Sequence, residues 1–264
     1  MTSTASGKAL LTVDGVTVRF GGLTAVDKVS FTVQRGELLG LIGPNGAGKT
    51  TMLRAITGVV TATQGEVYMD DEPLVRLSID QRVRRGLSLS QQLVKPLRNM
   101  TLLDNVALAA GFHKTRSPIR SLLHVSSAAE REIAMNMLKR VGITDRAEQM
   151  PGTQPLGILK RLELARALAL QPKLFLLDEP LAGLNSKEAQ AFANTILDIH
   201  RSGMTIVLIE HNLGEVMRLC QRLVVLDNGK KIGDGEPRSV MNDPQVQAAY
   251  LGGDTLSNSQ AQGV

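Results

Sequence analysis

The chain has 264 residues, 43% of them hydrophobic, with 30 basic and 25 acidic side chains and a formal net charge of +5. That supports one substantial core, or one core with a smaller attached subdomain. The modest positive charge suits an anionic partner such as a nucleotide, a nucleic acid or a membrane surface, but selects none of them. The single cysteine, Cys220, excludes an internal disulfide and points to a reducing compartment. No apolar run approaches the ~20 residues that cross a bilayer, and Met1 to Lys8 lacks the apolar segment of a secretory signal. Membrane association is therefore expected only through a partner.

In chain order, Leu11, Val13, Val16 and Val18 alternate with polar neighbours as a strand does, and Gly21-Gly22 breaks the run. Val29 to Val33 alternates again and ends at Arg35-Gly36. Leu38 to Ile42 is a continuous apolar run, as in a strand buried on both faces. A glycine-rich loop and a helix over Thr50 to Ile56 follow, closed by Gly58. Gly65 to Met69 reads as a strand and Asp80 to Arg85 as a short basic helix, whose Arg82, Arg84 and Arg85 are expected on a solvated face. Asp104 to Ala110 and Ser126 to Val141 have helical periodicity, with Pro118 and a serine-rich link between them. This stretch is expected to be an inserted helical subdomain.

Helix Lys160 to Leu170, strand Leu174 to Leu177, helix Ser186 to Arg201, strand Thr205 to Ile209, helix Asn212 to Leu219 and strand Leu223 to Leu226 continue the pattern. Such alternation predicts an α/β fold with a mostly parallel sheet. Asn228-Gly229 signals a hairpin turn, and the tail beyond Gly252 is polar.

The strongest local signal is Gly43-Pro44-Asn45-Gly46-Ala47-Gly48-Lys49-Thr50-Thr51, which satisfies G-x-x-x-x-G-K-[ST]. Glycines let successive backbone N–H groups turn onto phosphate oxygens at a helix N-terminus, whose dipole also favours anions. Lys49 supplies a mobile cation for the β- and γ-phosphates, and the Thr50 hydroxyl can ligate Mg²⁺. At average residue frequencies the pattern arises by chance in roughly one chain in a hundred of this length. Its place between a buried strand and a helix makes chance less credible still.

A phosphate loop also needs a carboxylate for the metal and a group to activate water. Asp178 and Glu179 end the apolar run Leu174 to Leu177 and offer both: Asp178 for the hydration shell of Mg²⁺, Glu179 as general base.

With these elements the chain resembles the ATP-binding cassette family over nearly its whole length, to about Leu251. Gly43 to Thr51 is similar to its Walker A, and Leu174 to Glu179 to its Walker B with the catalytic glutamate. Leu181 to Asn185 is similar to the D-loop, His211 to the switch histidine that contacts the γ-phosphate, and Phe20 to the aromatic residue stacked on adenine. Gln92 fits the Q-loop glutamine that reaches Mg²⁺ and the membrane subunit, although the adjacent Gln91 leaves the register open. The resemblance implies one P-loop ATPase domain over about 8–252. Its nucleotide-binding core would span about 8–92 and 170–252, with an N-terminal antiparallel β part, a helical subdomain at about 93–169 and a polar tail at 253–264.

Phe20 to Val26, Ala182 to Asn185, Ile209 to His211 and Ala249 to Gly252 further resemble the ATPase subunits of branched-chain amino acid importers. That implies ATP and Mg²⁺, a second ATPase subunit forming a heterodimer (a homodimer remains open), two permease subunits and, indirectly, a periplasmic solute-binding protein. The expected location is the cytoplasmic side of the inner membrane, with no role for nucleic acid. A soluble non-transport cassette and a regulatory subunit that hydrolyses little ATP are the alternatives. One departure stands out. The family signature L-S-G-G-Q aligns with Gln154-Pro155-Leu156-Gly157-Ile158, so a serine hydroxyl and a glutamine amide are missing. Because the signature acts on the partner's nucleotide, the two ATP sites are expected to be unequal.

Overall fold

The computed structural model describes residues 8–90, 96–114 and 128–251. The chain divides into two compact units, Met1–Arg82 with Thr205–Val264, and Val83–Met204.

The first unit contains two sheets. In one, β1 (Ala9–Phe20) pairs antiparallel with β2 (Leu23–Gln34) and with β4 (Gln64–Met69), which carries the two-residue β5 (Glu72–Pro73). Period-two alternation puts Leu11, Val13, Val29, Phe31 and Val33 inside. In the other, β3 (Leu38–Ile42) lies parallel between β8 (Thr205–Ile209) and β9 (Arg222–Asp227). All five residues of β3 and all five of β8 are buried, as strands covered on both faces require. β9 turns at Asn228-Gly229 into the antiparallel β10 (Lys230–Gly235). Helix α1 (Lys49–Thr57) follows β3 through the glycine loop. The C-terminal part adds α7 (Leu213–Leu219), α8 (Pro237–Met241) and a last helix, α9, at 244–251.

The second unit pairs β6 (Leu87–Ser90) in parallel with β7 (Leu174–Asp178). Helices α3 (Leu102–Ala110), α4 (Ala128–Arg140) and α5 (Leu156–Ala169) pack on one another, and α6 (Ser186–Arg201) follows β7. Asn105, 1% exposed, ties down the segment before α3: its amide donates to the carbonyls of Leu97 (3.0 Å), Met100 (3.2 Å) and Thr101 (2.9 Å).

Helix α6 has the bounds expected from sequence, started by a capping box between Asn185 and Glu188. Helix α5 begins a turn earlier than its periodicity suggested, because Pro155 serves as an extended N-cap with no side-chain acceptor. The solvated basic face is corrected. Only Arg85 is exposed. Arg82, in α2 (Ile79–Arg84), is 6% exposed, its Nη1 donating to the carbonyls of Ala55 (2.9 Å) and Ile56 (2.7 Å). Arg84 lies over the Phe112 ring, 4.6 Å from its centroid.

Candidate nucleotide site

The phosphate loop lies wholly in the first unit. Gly43 (φ 144°) and Gly48 (φ 99°) adopt backbone conformations that an L side chain resists. A Cβ on Gly43 would also run into the Leu226 carbonyl carbon at 3.0 Å and the Ala47 Cβ at 3.2 Å. Helix α1 starts at Lys49 with Gly48 as a left-handed N-cap, no capping side chain and no acidic residue in its first turn. Its leading N–H groups and dipole are therefore available to an anion. Lys49, 6% exposed, donates its Nζ to the carbonyls of Gly43 (2.7 Å) and Pro44 (2.9 Å). The loop is braced from below by Gly229 N–H to Ala47 O at 3.1 Å and Asp27 N–H to Gly229 O at 2.8 Å.

The other end of α1 is also fixed. Gly58 (φ 82°) closes the helix, and the Arg82 guanidinium caps its last carbonyls. A cation at the C-terminus and an anion at the N-terminus both complement the helix dipole. Burial pulls the Arg82 guanidinium down from its usual value.

Tyr250 is a further contact that sequence reasoning missed. Its phenol is hydrogen-bonded to the backbone of Gly43. Burial pushes the phenol up to about 12, against the opposing pull of that bond. Val246, fully buried on the same helix, packs on Gly233 of β10 and holds α9 in place. The only sequence signal was the motif Ala249 to Gly252, which gives no partner.

Phe20 ends β1 beside the Gly21-Gly22 turn, and half of its surface is exposed, leaving a ring face for a planar base. His211 is exposed between β8 and Asn212, the N-cap of α7, and its own N–H donates to Glu210 Oε2 at 3.1 Å. Gln91 and Gln92 lie outside the described residues, and so does the choice between them.

In the second unit Asp178 ends β7, with its Oδ1 shut off from solvent, and Glu179 follows at φ 51°. Lys160, buried on the apolar stripe it shares with Leu164 and Leu168 of α5, donates to the carbonyls of Pro180 (2.8 Å) and Glu179 (3.4 Å). A lysine on an apolar helical face was the overlooked signal. The altered signature adjoins the D-loop. Gly183 faces Leu156 Cδ2, and Gly157 faces Leu184 and Glu188. Gln154 does not replace the missing amide, because its Nε2 donates to Gln149 Oε1 (3.0 Å) and Thr153 Oγ1 (2.9 Å) in its own loop.

Hard oxygen donors, the Thr50 hydroxyl and the Asp178 carboxylate, suit Mg²⁺ by their chemistry.

A glycine loop cradling a helix N-terminus, a buried lysine and a strand ending in two carboxylates define a P-loop nucleotide hydrolase. Residues 26–182 match the sequence model of the ABC transporter family, and the chain belongs to that family as an ATP-hydrolysing cassette. Residues 230–255 match a second model, the branched-chain amino acid ATP-binding cassette transporter. The chain is 37% identical to LivG, the high-affinity branched-chain amino acid transport ATP-binding protein of Escherichia coli, over 92% of this chain and 98% of that one. It is 32% identical to the lipopolysaccharide export ATP-binding protein LptB of Haemophilus influenzae, with the same coverage. Its fold matches the ADP conformation of MJ1267, a cassette of an ABC transporter, with TM-score 0.82 and 31% identity over 93% of this chain and 99% of that one. It also matches the dimeric post-hydrolysis structure of the cassette MJ0796, with TM-score 0.74 and 26% identity over 86% and 99%.

Proposed function

We propose that the chain powers the import of branched-chain amino acids or related small solutes. The observation that carries this reading is the match of residues 230–255 to the branched-chain cassette model, supported by the likeness to LivG. Lipopolysaccharide export is the competing reading, favoured by the likeness to LptB. ATPase measured in the assembled transporter separates them. Import predicts stimulation by a branched-chain amino acid with its binding protein, and stimulation by lipopolysaccharide instead would sink it.

In the proposed mechanism, the N–H groups of Gly46 to Thr51 bind the terminal phosphates. Lys49 leaves its resting carbonyls for the β- and γ-oxygens, and Phe20 stacks on the adenine. Thr50, Asp178 and the Q-loop glutamine Gln92 would hold Mg²⁺, which would supply charge neutralisation at the phosphate oxygens. Glu179 takes the proton of the attacking water, and His211 holds that water against the γ-phosphate.

ATP binding would close a head-to-tail dimer with a second ATPase subunit beneath two permease subunits, so the chain works peripherally at the cytoplasmic face of the membrane. No described helix is long and apolar enough to cross it. The helical subdomain, expected at about 93–169, would carry the motion to the permease. A groove of about 400 Å³ lined by Leu89, Leu108 and Phe112 offers a surface for that contact. Pro155 and the internally bonded Gln154 support a heterodimer in which this chain's signature holds the partner's ATP through backbone groups alone.

A further inference from the structure

Glu179 occupies the left-handed region, φ 51°, where a non-glycine residue persists only if its surroundings hold it. Its carbonyl accepts from the Ala182 N–H at 3.2 Å and from Lys160 Nζ at 3.4 Å, and the same Nζ donates to the Pro180 carbonyl at 2.8 Å. Lys160 is 6% exposed, and burying its ammonium carries a large desolvation penalty. An aliphatic side chain would fit the stripe of Leu164 and Leu168 without that penalty. What the lysine adds is a pair of charge-assisted bonds to the turn that aims the carboxylate.

We propose that Lys160 is a positioning residue for Glu179, tying the helix that starts at the altered signature to the water-activating group of the same chain. This rests on the reading of Glu179 as the base. Fixing two consecutive carbonyls restrains the 179–180 peptide, and with it the direction in which the Glu179 side chain leaves the backbone. A base displaced by an ångström loses rate while nucleotide binding, made elsewhere, is untouched.

The test is a double-mutant cycle in the full chain within its assembled transporter, comparing Lys160→Met in the wild-type and Glu179→Gln backgrounds. Single-turnover phosphate release and nucleotide affinity are measured for each. Lys160→Met is expected to lower kcat about tenfold to hundredfold with KM within about twofold. In the Glu179→Gln background the same change should alter residual release by less than about twofold. A wild-type kcat for Lys160→Met, or an equal loss in both backgrounds, overturns the proposal. A loss of affinity alongside turnover in both backgrounds marks a merely structural lysine and overturns it too. If Glu179→Gln alone turns over normally, the assignment of the base has failed instead.

Discussion

Lys49 and Tyr250 both hold the backbone of Gly43: the lysine donates to its carbonyl, and the phenol bonds to its main chain. Lys49→Ala removes the cation proposed to face the phosphates, and isothermal titration should show ATP affinity reduced at least about a hundredfold. Undiminished affinity would refute the loop assignment. Tyr250→Phe removes only a hydroxyl, and weakening of ATP binding by about three- to tenfold is expected from one neutral hydrogen bond. Unchanged affinity would make the contact incidental. The loop was legible in sequence because its chemistry is local, with glycines and a lysine at fixed spacing. Tyr250, Lys160 and Arg82 were not, because each acts on carbonyl or amide groups of segments far away in the chain. Arg82 was misread for a related reason: six residues of helix give too little periodicity to separate a buried arginine from its solvated neighbours.

Helix α1 is held at both ends, and its C-terminal clamp can be tested separately. Arg82→Leu leaves the carbonyls of Ala55 and Ile56 without their charged donor, so unfolding should cost about 2–3 kcal/mol less in urea titrations. A second clamp joins strands. Arg222 donates to Thr32 O of β2 (3.0 Å), Glu37 Oε1 (3.2 Å) and Asp234 Oδ1 of β10 (2.7 Å). Burial pushes the Asp234 carboxyl up, but hydrogen bonds and charge from Arg222 and Lys231 outweigh it, so the net shift is downward. A carboxyl lowered on folding stabilises above its unfolded value of about 3.9 and loses that contribution as pH falls through the depressed value. Asp234→Asn should therefore lower stability at pH 7, by about 1–2 kcal/mol, and flatten its acid dependence; an unchanged profile would show the clamp to be idle.

The long periodic elements were legible at this scale, α6 and the fully apolar β3 and β8 above all. The four-residue β6, with alternating leucine and serine, and the short helices α8 and α9 were not read. Helix α5 was started late because glycine and proline, rather than a capping side chain, mark its true beginning.

For the whole molecule, the α/β class and the family followed from the order of apolar runs and two phosphate-site motifs, whereas the solute reading rests on likeness to branched-chain cassettes alone. The altered signature predicts inequality between the ATP sites. Glu179→Gln and the equivalent change in the partner cassette should lower transporter turnover to different extents, and equal losses would count against asymmetry. In the proposed mechanism the loop around Lys49 binds nucleotide and Glu179 promotes its cleavage. The most direct test of that mechanism is single-turnover phosphate release by the assembled transporter carrying Glu179→Gln, with ATP occupancy of this chain measured in parallel. Full occupancy with release slowed at least about a hundredfold is predicted; release at the wild-type rate from a fully occupied site would contradict it.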